Sequence, residues 1–323
     1  MGLFNKSNII LLTGIKGQLG QALCRYIYSK NENNLIIGTT TNASCDVVKG
    51  LKDKYPKIII TEGDPANKAF IESLVCSFRP NVIGHLHAQS SVATSLTQPS
   101  LTYNNNILPV LNLIDICNDK DITLFNMSSV EIFGNYCCPI IDGRNEDTPL
   151  NPTNSYGASK AAGHTIIKTE RISRKKKYYN FICNNFISEF QNTNFVAAKI
   201  IDFAVNNIDT SNVLELGNVE SIRDWMYVDD VCSAIDIALN NEASDYCIAG
   251  GNIHTVREFV DIVFEQCKIN KSRISICNKL IRVGDTTFST TFTTKLKNIG
   301  WKPKYDIHSL VQKIILEKKN GKK

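Results

Sequence analysis

The chain has 323 residues, more than a single compact core usually holds, so one large domain with a smaller second one is expected. Its 43% hydrophobic and 21% charged residues are those of a globular protein and exclude a disordered or fibrous chain. The net charge of +5 is modest and gathers in Arg174-Lys175-Lys176-Lys177 and in residues 318–323, read as a solvated helix end and a chain terminus. No aromatic residues interleave with a basic stripe, which speaks against nucleic acid as a partner. Residues 1–7 lack the apolar core of a signal peptide, and no apolar run approaches about 20 residues. A cytoplasmic protein without a membrane partner is expected. None of the 11 cysteines forms a CxxC pair, and adjacent Cys137-Cys138 is not a metal-ligand spacing. Cys24, Cys76, Cys117 and Cys232 fall in apolar patterns and read as buried thiols of a reducing compartment, with no metal.

In chain order, short runs rich in Ile, Leu, Val and Phe predict strands at 8–13, 35–39, 57–61, 82–86, 122–126 and 180–184. The runs are continuous rather than alternating, as in parallel strands covered on both faces. Helical patterns lie between them at 18–29, 67–77, 102–117 and 158–172. This alternation predicts an α/β fold, a doubly wound parallel sheet of the Rossmann type with right-handed crossovers, over residues 1–189. Past residue 189 the rhythm changes: helices at 194–204, 228–239, 256–267 and 307–316, and short strands at 213–216 and 244–248, the last returning to the sheet. Residues 190–323 are thus expected to form mainly a smaller C-terminal α/β substrate domain.

The run Leu11-Leu12-Thr13-Gly14-Ile15-Lys16-Gly17-Gln18-Leu19-Gly20 closes the first strand and opens the first helix. Gly14 permits the turn, Gly17 lets the backbone approach a pyrophosphate, and Gly20 lets helix and strand pack; Gln18 and Leu19 open the helix at the anion. The second strand ends Gly38-Thr39-Thr40-Thr41, with neither the acid that binds a ribose 2′-hydroxyl nor an arginine for a 2′-phosphate. Thr39 and its neighbours offer hydroxyls to either group, which leaves NADP as first choice and NAD as the alternative. Asp64, after the third strand, is placed either to meet the adenine or to shape the turn before Pro65.

Ser128-Ser129-Val130-Glu131 is followed 25 residues later by Tyr156-Gly157-Ala158-Ser159-Lys160. Tyr156 and Lys160, four apart, lie on one helix face, where the ammonium would favour the phenolate and make the tyrosine a base below its free pKa of about 10. Glu131 adds a second acid/base group, which a simple alcohol oxidation does not need and an elimination does. His85 and His87 are expected to line the cofactor cleft, and Trp225 and Trp301 to be packing residues.

The glycine run, His85-Leu86-His87-Ala88-Gln89-Ser90-Ser91-Val92, SSVEIFG and YGASK together resemble the extended short-chain dehydrogenase/reductase (NAD-dependent epimerase/dehydratase) family. Leu216-Gly217-Asn218 with Arg223-Asp224-Trp225 resembles its GDP-mannose 4,6-dehydratase branch. The resemblance runs from about residue 8 to about 305 and implies these roles. Tyr156 is the base and Lys160 holds the nicotinamide ribose. Ser129 bonds the sugar 4-hydroxyl, and Glu131 is the elimination carboxylate. His87 and Ala88 touch the cofactor and Ser90 the substrate. Arg223 and Arg282 grip the diphosphate, and Asn185 orients the sugar or its phosphate. Three stretches depart from the branch. Ser-Val-Glu stands for Thr-Ser-Glu. Phe186-Ile187-Ser188-Glu189-Phe190-Gln191 stands for a His-Glu-Ser-Pro-Arg-Arg run. The arginine-rich loop after the second strand is reduced to 39–44.

The implied activity is a hydro-lyase one: dehydration of a GDP-hexose, GDP-mannose first, to its 4-keto-6-deoxy form with a bound cofactor that is regenerated each turn. A 4-keto-sugar reductase consuming NAD(P)H is the nearest alternative. A 4-epimerase, which would leave Glu131 without a task, and a cofactor-binding relative without turnover are the others. Relatives pair through two helices in a four-helix bundle, here 102–117 and 158–172, implying a homodimer or homotetramer.

Overall fold

The computed structural model describes residues 2–135, 143–208, 210–281 and 288–320. Strand and helix alternate from the start: β1 (Ile9–Thr13), α1 (Gln18–Lys30), β2 (Leu35–Thr40), α2 (Asp46–Lys54), β3 (Ile58–Glu62), α3 (Lys68–Phe78), β4 (Val82–His85), α4 (Val92–Thr97), α5 (Pro99–Cys117), β5 (Thr123–Ser129), α6 (Ser155–Arg174) and β6 (Tyr178–Cys183). The remainder is β7 (Asn185–Ile187), α7 (Val196–Asn206), β8 (Leu214–Leu216), β9 (Ile222–Tyr227), α8 (Val228–Leu239), β10 (Asp245–Ile248), β11 (Ile253–Thr255), α9 (Val256–Cys267), β12 (Ile274–Ile276), β13 (Phe288–Ser289), α10 (Thr294–Asn298) and α11 (Ile307–Asn320).

Seven parallel strands run in the order β10-β6-β5-β4-β1-β2-β3. The chain leaves β1 toward β2 and later returns to β4 on the other side. A crevice therefore opens above the carboxyl ends of β1 and β4, the place where such sheets bind ligands. The continuous apolar runs are explained by two covered faces. Ile10 and Leu12 of β1 join the core formed with α1, α2 and α8. Leu11 joins the core formed with α3, α5 and α6.

A second, smaller sheet centres on β9, which pairs with β7 and β13 in parallel and with β11 antiparallel; β8 and β12 form a separate pair. Trp225 of β9 stacks on Phe259 of α9 at 4.4 Å, and Trp301 is buried with its indole N–H donated to Ser233, so both are packing residues. Of these short strands the sequence pattern shows β8, expected at 213–216; β7, β11, β12 and β13 escaped it because two or three residues are too few to show a period. The strand at 244–248 does join the main sheet: β10 lies at its edge beside β6.

A buried polar node docks α6 on that edge. Asp245 accepts from Arg171 (2.8 Å) and Asn180 (3.0 Å), with His164 Nε2 at 3.6 Å. These partners hold the Asp245 carboxyl below its usual range against the upward push of burial. Burial pushes His164 down to about 4, so it packs neutral. Cys24, Cys117 and Cys232 are buried as expected; Cys76 is instead exposed, because the core side of α3 is taken by Ile71, Leu74 and Val75. Cys137 and Cys138 lie outside the described residues. No helix among the described residues is long and apolar enough to cross a membrane.

Candidate active site

The glycine run forms the turn from β1 into α1. Gly14 has φ +73°, and a Cβ on it would lie 2.9 Å from the His87 Cα. A side chain there is excluded both by the left-handed backbone and by the segment after β4. Ile15 N bonds Thr39 O (3.0 Å) and Gly17 N bonds Gly14 O (3.0 Å), tying the turn to β2. No side-chain acceptor caps α1 at Gly17, so the first-turn N–H groups of Gln18, Leu19 and Gly20 are left for an anion at the helix dipole's positive end. The Gln18 side chain itself accepts from Ser188 (3.0 Å).

The wall opposite is the segment after β4. The Thr13 hydroxyl accepts from the backbone of Leu86 (3.1 Å) and His87 (3.2 Å) and so donates its own proton to His85 Nδ1 (2.9 Å). Burial holds His85 well below its ordinary pKa, hence neutral. Ala88 is half-buried and Ser90 exposed on the same segment. Asn106 of α5 fastens it, donating to Gln89 O (3.1 Å) and to Ser159 of α6 (2.8 Å) and accepting from Gln89 N (2.8 Å). Asp64 takes the turn role, Oδ1 accepting from Ala66 N at 2.9 Å, and remains exposed beside the cleft. Three buried polar atoms around the crevice have no protein partner: Thr39 Oγ1, His87 Nε2 and Ser128 Oγ. Buried polar groups are rarely left so. With the uncapped helix start they fit a dinucleotide, which carries acceptors and donors along its length.

Ser129 ends β5, and the chain turns at once into a short 3-10 segment that presents Glu131; the Glu131 N–H is capped by Ser129 Oγ (3.2 Å). Across from it, Asn154 is the N-cap of α6. Its Oδ1 accepts from Gly157 N (2.8 Å) and its Nδ2 donates to Glu131 Oε2 (3.0 Å). One residue thus fixes both the helix carrying Tyr156 and the carboxylate before it. Tyr156 hydrogen-bonds the Ser129 hydroxyl. Serine, carboxylate and phenol therefore meet although 25 residues separate Glu131 from Tyr156.

The expected ammonium effect on the phenol is not what the structure shows. Lys160 Nζ donates to the Met127 carbonyl (2.8 Å), and burial pushes its pKa down to about 8. Burial first, then the Glu131 charge, push Tyr156 up to about 12, with only the Ser129 bond pulling down. The tyrosine is protonated at neutral pH, poised as an acid until charge is added nearby.

The remaining sequence-predicted residues are less gathered. Asn185 is exposed in β7, while neighbouring Asn184 is buried, bonded to Ile248 O (3.2 Å) and Thr291 (2.6 Å). Arg223 is half-buried on β9 with Nη1 on Ile222 O (3.0 Å). Its neighbour Asp224 is engaged by the N–H groups of Gly250 and Gly251. Arg282 lies outside the described residues. Asn154 and Asn106 escaped the sequence reading. Asn154 had a signal, an Asn directly before a helix start, whereas Asn106 had none. No cluster of metal-ligating side chains is found among the described residues.

The profile of the family described as GDP-mannose 4,6 dehydratase matches residues 11–314. GDP-mannose 4,6 dehydratase 1 of Arabidopsis thaliana is 28% identical over 330 residues, 96% of this chain and 89% of that protein. The low-salt glycan biosynthesis protein Agl12 of Haloferax volcanii is 27% identical over 303 residues, 92% of this chain and 94% of that protein. The fold superposes on dTDP-glucose 4,6-dehydratase of Bacillus anthracis in complex with NAD with a TM-score of 0.86, 22% identity and 98% of each chain covered.

Proposed function

The chain belongs to the GDP-mannose 4,6 dehydratase family, and from that premise we propose that it is a nucleotide-sugar 4,6-dehydratase, a hydro-lyase that takes GDP-mannose to its 4-keto-6-deoxy form. The observation that carries this reading is the Glu131 carboxylate, held by Asn154 within electrostatic reach of the Ser129-bonded Tyr156 phenol. Oxidation alone needs the phenol; a carboxylate fixed beside it has a task only when a second proton moves.

The cofactor the site would hold is NADP, with NAD as the alternative; when bound it would supply reversible hydride acceptance at the sugar. Gly14, Gly17, Gln18, Leu19 and Gly20 hold its pyrophosphate, Thr39 and Asp64 its adenosine end, His87, Ala88 and Lys160 the span toward the ribose. Ser129 bonds the sugar 4-hydroxyl; the positive charge that a bound oxidised nicotinamide would add beside Tyr156 favours its phenolate, which Ser129 steadies as it takes that hydroxyl's proton. The 4-ketone acidifies C5–H. Glu131 removes the C5 proton and delivers it to the C6 hydroxyl, which leaves as water and gives a C5–C6 double bond; as C6 is reduced, Tyr156 gives its proton back to C5, which restores both groups. Ser90, Asn185, Arg223 and Arg282 bind the sugar and its diphosphate. The outer faces of α5 and α6 expose Leu101, Tyr103, Leu108, Leu111 and Ile172, which supports a homodimer built on these helices, alone or within a tetramer.

The test is incubation with GDP-mannose and trace NADP+, reading the sugar by mass. Loss of one water without net cofactor consumption is expected. Glu131→Gln is expected to bind the dinucleotide and to lose roughly a hundredfold or more in dehydration. The second reading is a 4-keto-sugar reductase, favoured by Ser129 standing at the dehydratases' threonine position. Silence with GDP-mannose together with stoichiometric NADPH oxidation by the 4-keto sugar would replace the dehydratase with it.

A further inference from the structure

His87 is the one charge-capable group among the three orphaned polar positions around the crevice. Its backbone packs on the phosphate turn, where a Cβ on Gly14 would lie 2.9 Å from its Cα, and its N–H is pinned to Thr13. The His87 backbone is therefore fixed beside the turn that leads into the uncapped start of α1, and Nε2 is shut off from water and given no acceptor by the protein. A neutral imidazole with a buried, unmatched nitrogen is a cost unless something arrives to pair with it. Resting on the dinucleotide reading, we propose that His87 is a proton-linked cofactor contact: on binding, the imidazole takes one proton from solvent and donates through Nε2 to a phosphate oxygen of the dinucleotide.

The surrounding charges make this switchable. In the protein alone, burial keeps His87 below its ordinary value; Asp64, after β3, pulls it up, and Lys160, from α6, pushes it down. His85, the other titratable group facing it from β4, is itself held neutral. A bound phosphate would add negative charge beside the ring, which raises the imidazole's affinity for a proton. Proton uptake on binding means that affinity falls as pH rises. Cofactor retention would thus depend on pH through a residue that performs no chemistry on the sugar.

The probe is NAD+, whose pyrophosphate keeps its charge across neutral pH, titrated into the whole protein by calorimetry on both sides of neutrality in buffers of different ionisation heat. Wild type is expected to bind more weakly at the higher pH and to show buffer-dependent heat from proton uptake. His87→Gln keeps a donor but cannot titrate, and is expected to bind without that uptake. His87→Ala is expected to bind roughly tenfold more weakly at the lower pH. Thermal unfolding of both variants identifies any loss due to misfolding. Equal pH dependence and proton uptake in wild type and His87→Gln would overturn the proposal while leaving the dinucleotide reading intact. Failure of folded wild type to bind NAD+ or NADP+ would overturn both.

Discussion

Asn154 offers the sharpest test of how the site is assembled, because one side chain performs two separable tasks. Asn154→Ala removes the N-cap of α6, a loss of about 1 kcal/mol. It also removes the 3.0 Å bond to Glu131, about 1.5 kcal/mol for a hydrogen bond to a carboxylate. The expected destabilisation is roughly 2.5 kcal/mol. Asn154→Ser restores an acceptor for Gly157 N but is too short to reach Glu131, so it should regain about 1 kcal/mol of that loss. Denaturant unfolding reads the stability of each variant, and sugar dehydration assayed on the folded protein reads Glu131's placement. Both variants are expected to lose dehydration to a similar degree, roughly tenfold or more, since a misplaced carboxylate cannot transfer the proton efficiently. If Asn154→Ala unfolds at the wild-type denaturant concentration, or if Asn154→Ser keeps full activity, the account of this residue is wrong.

Three further outcomes are expected. His164, held at about 4 in the fold against an ordinary 6.5, binds its proton more readily when unfolded; its contribution is fully present above about pH 6.5 and is lost as pH falls toward 4, roughly 3 kcal/mol in all. Unfolding curves across that window should therefore show stability rising with pH, and His164→Gln should flatten the slope; an unchanged slope would count against it. Gly20→Ala places a Cβ 2.4 Å from the Ile15 carbonyl oxygen, a clash with backbone, so it should cost about 1–3 kcal/mol and abolish tight dinucleotide binding in a fluorescence titration; wild-type affinity would contradict the packing role. Sedimentation should show a dimer or tetramer, and Leu108→Glu with Leu111→Glu on the exposed face of α5 should yield monomers; wild type sedimenting only as monomer would remove the bundle interface.

The main sheet was legible because both of its signals are local. Continuous apolar runs of strand length mark parallel strands with two covered faces, and the Gly14–Gly20 run imposes a turn that few side chains can enter. The Tyr156–Lys160 pair was legible for the same reason, being fixed by helix geometry alone. The smaller sheet around β9 was not, since strands as short as β7, β11 and β13 take their conformation from pairing with β9 rather than from their own pattern. Cys76 was misread because an apolar helix pattern shows which residues are hydrophobic but not which of two faces the sheet will cover.

The sequence by itself determined the strand-helix order, the anion-binding turn and the spacing of phenol and ammonium, all set by short-range backbone and side-chain geometry. Only the tertiary structure decided that Ser129, Glu131, Asn154 and Tyr156 meet and that Tyr156 keeps its proton. Burial and the Glu131 charge act on that phenol through space, and Lys160 is drawn instead to the Met127 carbonyl. Neither effect has any counterpart in the distance between residues along the chain.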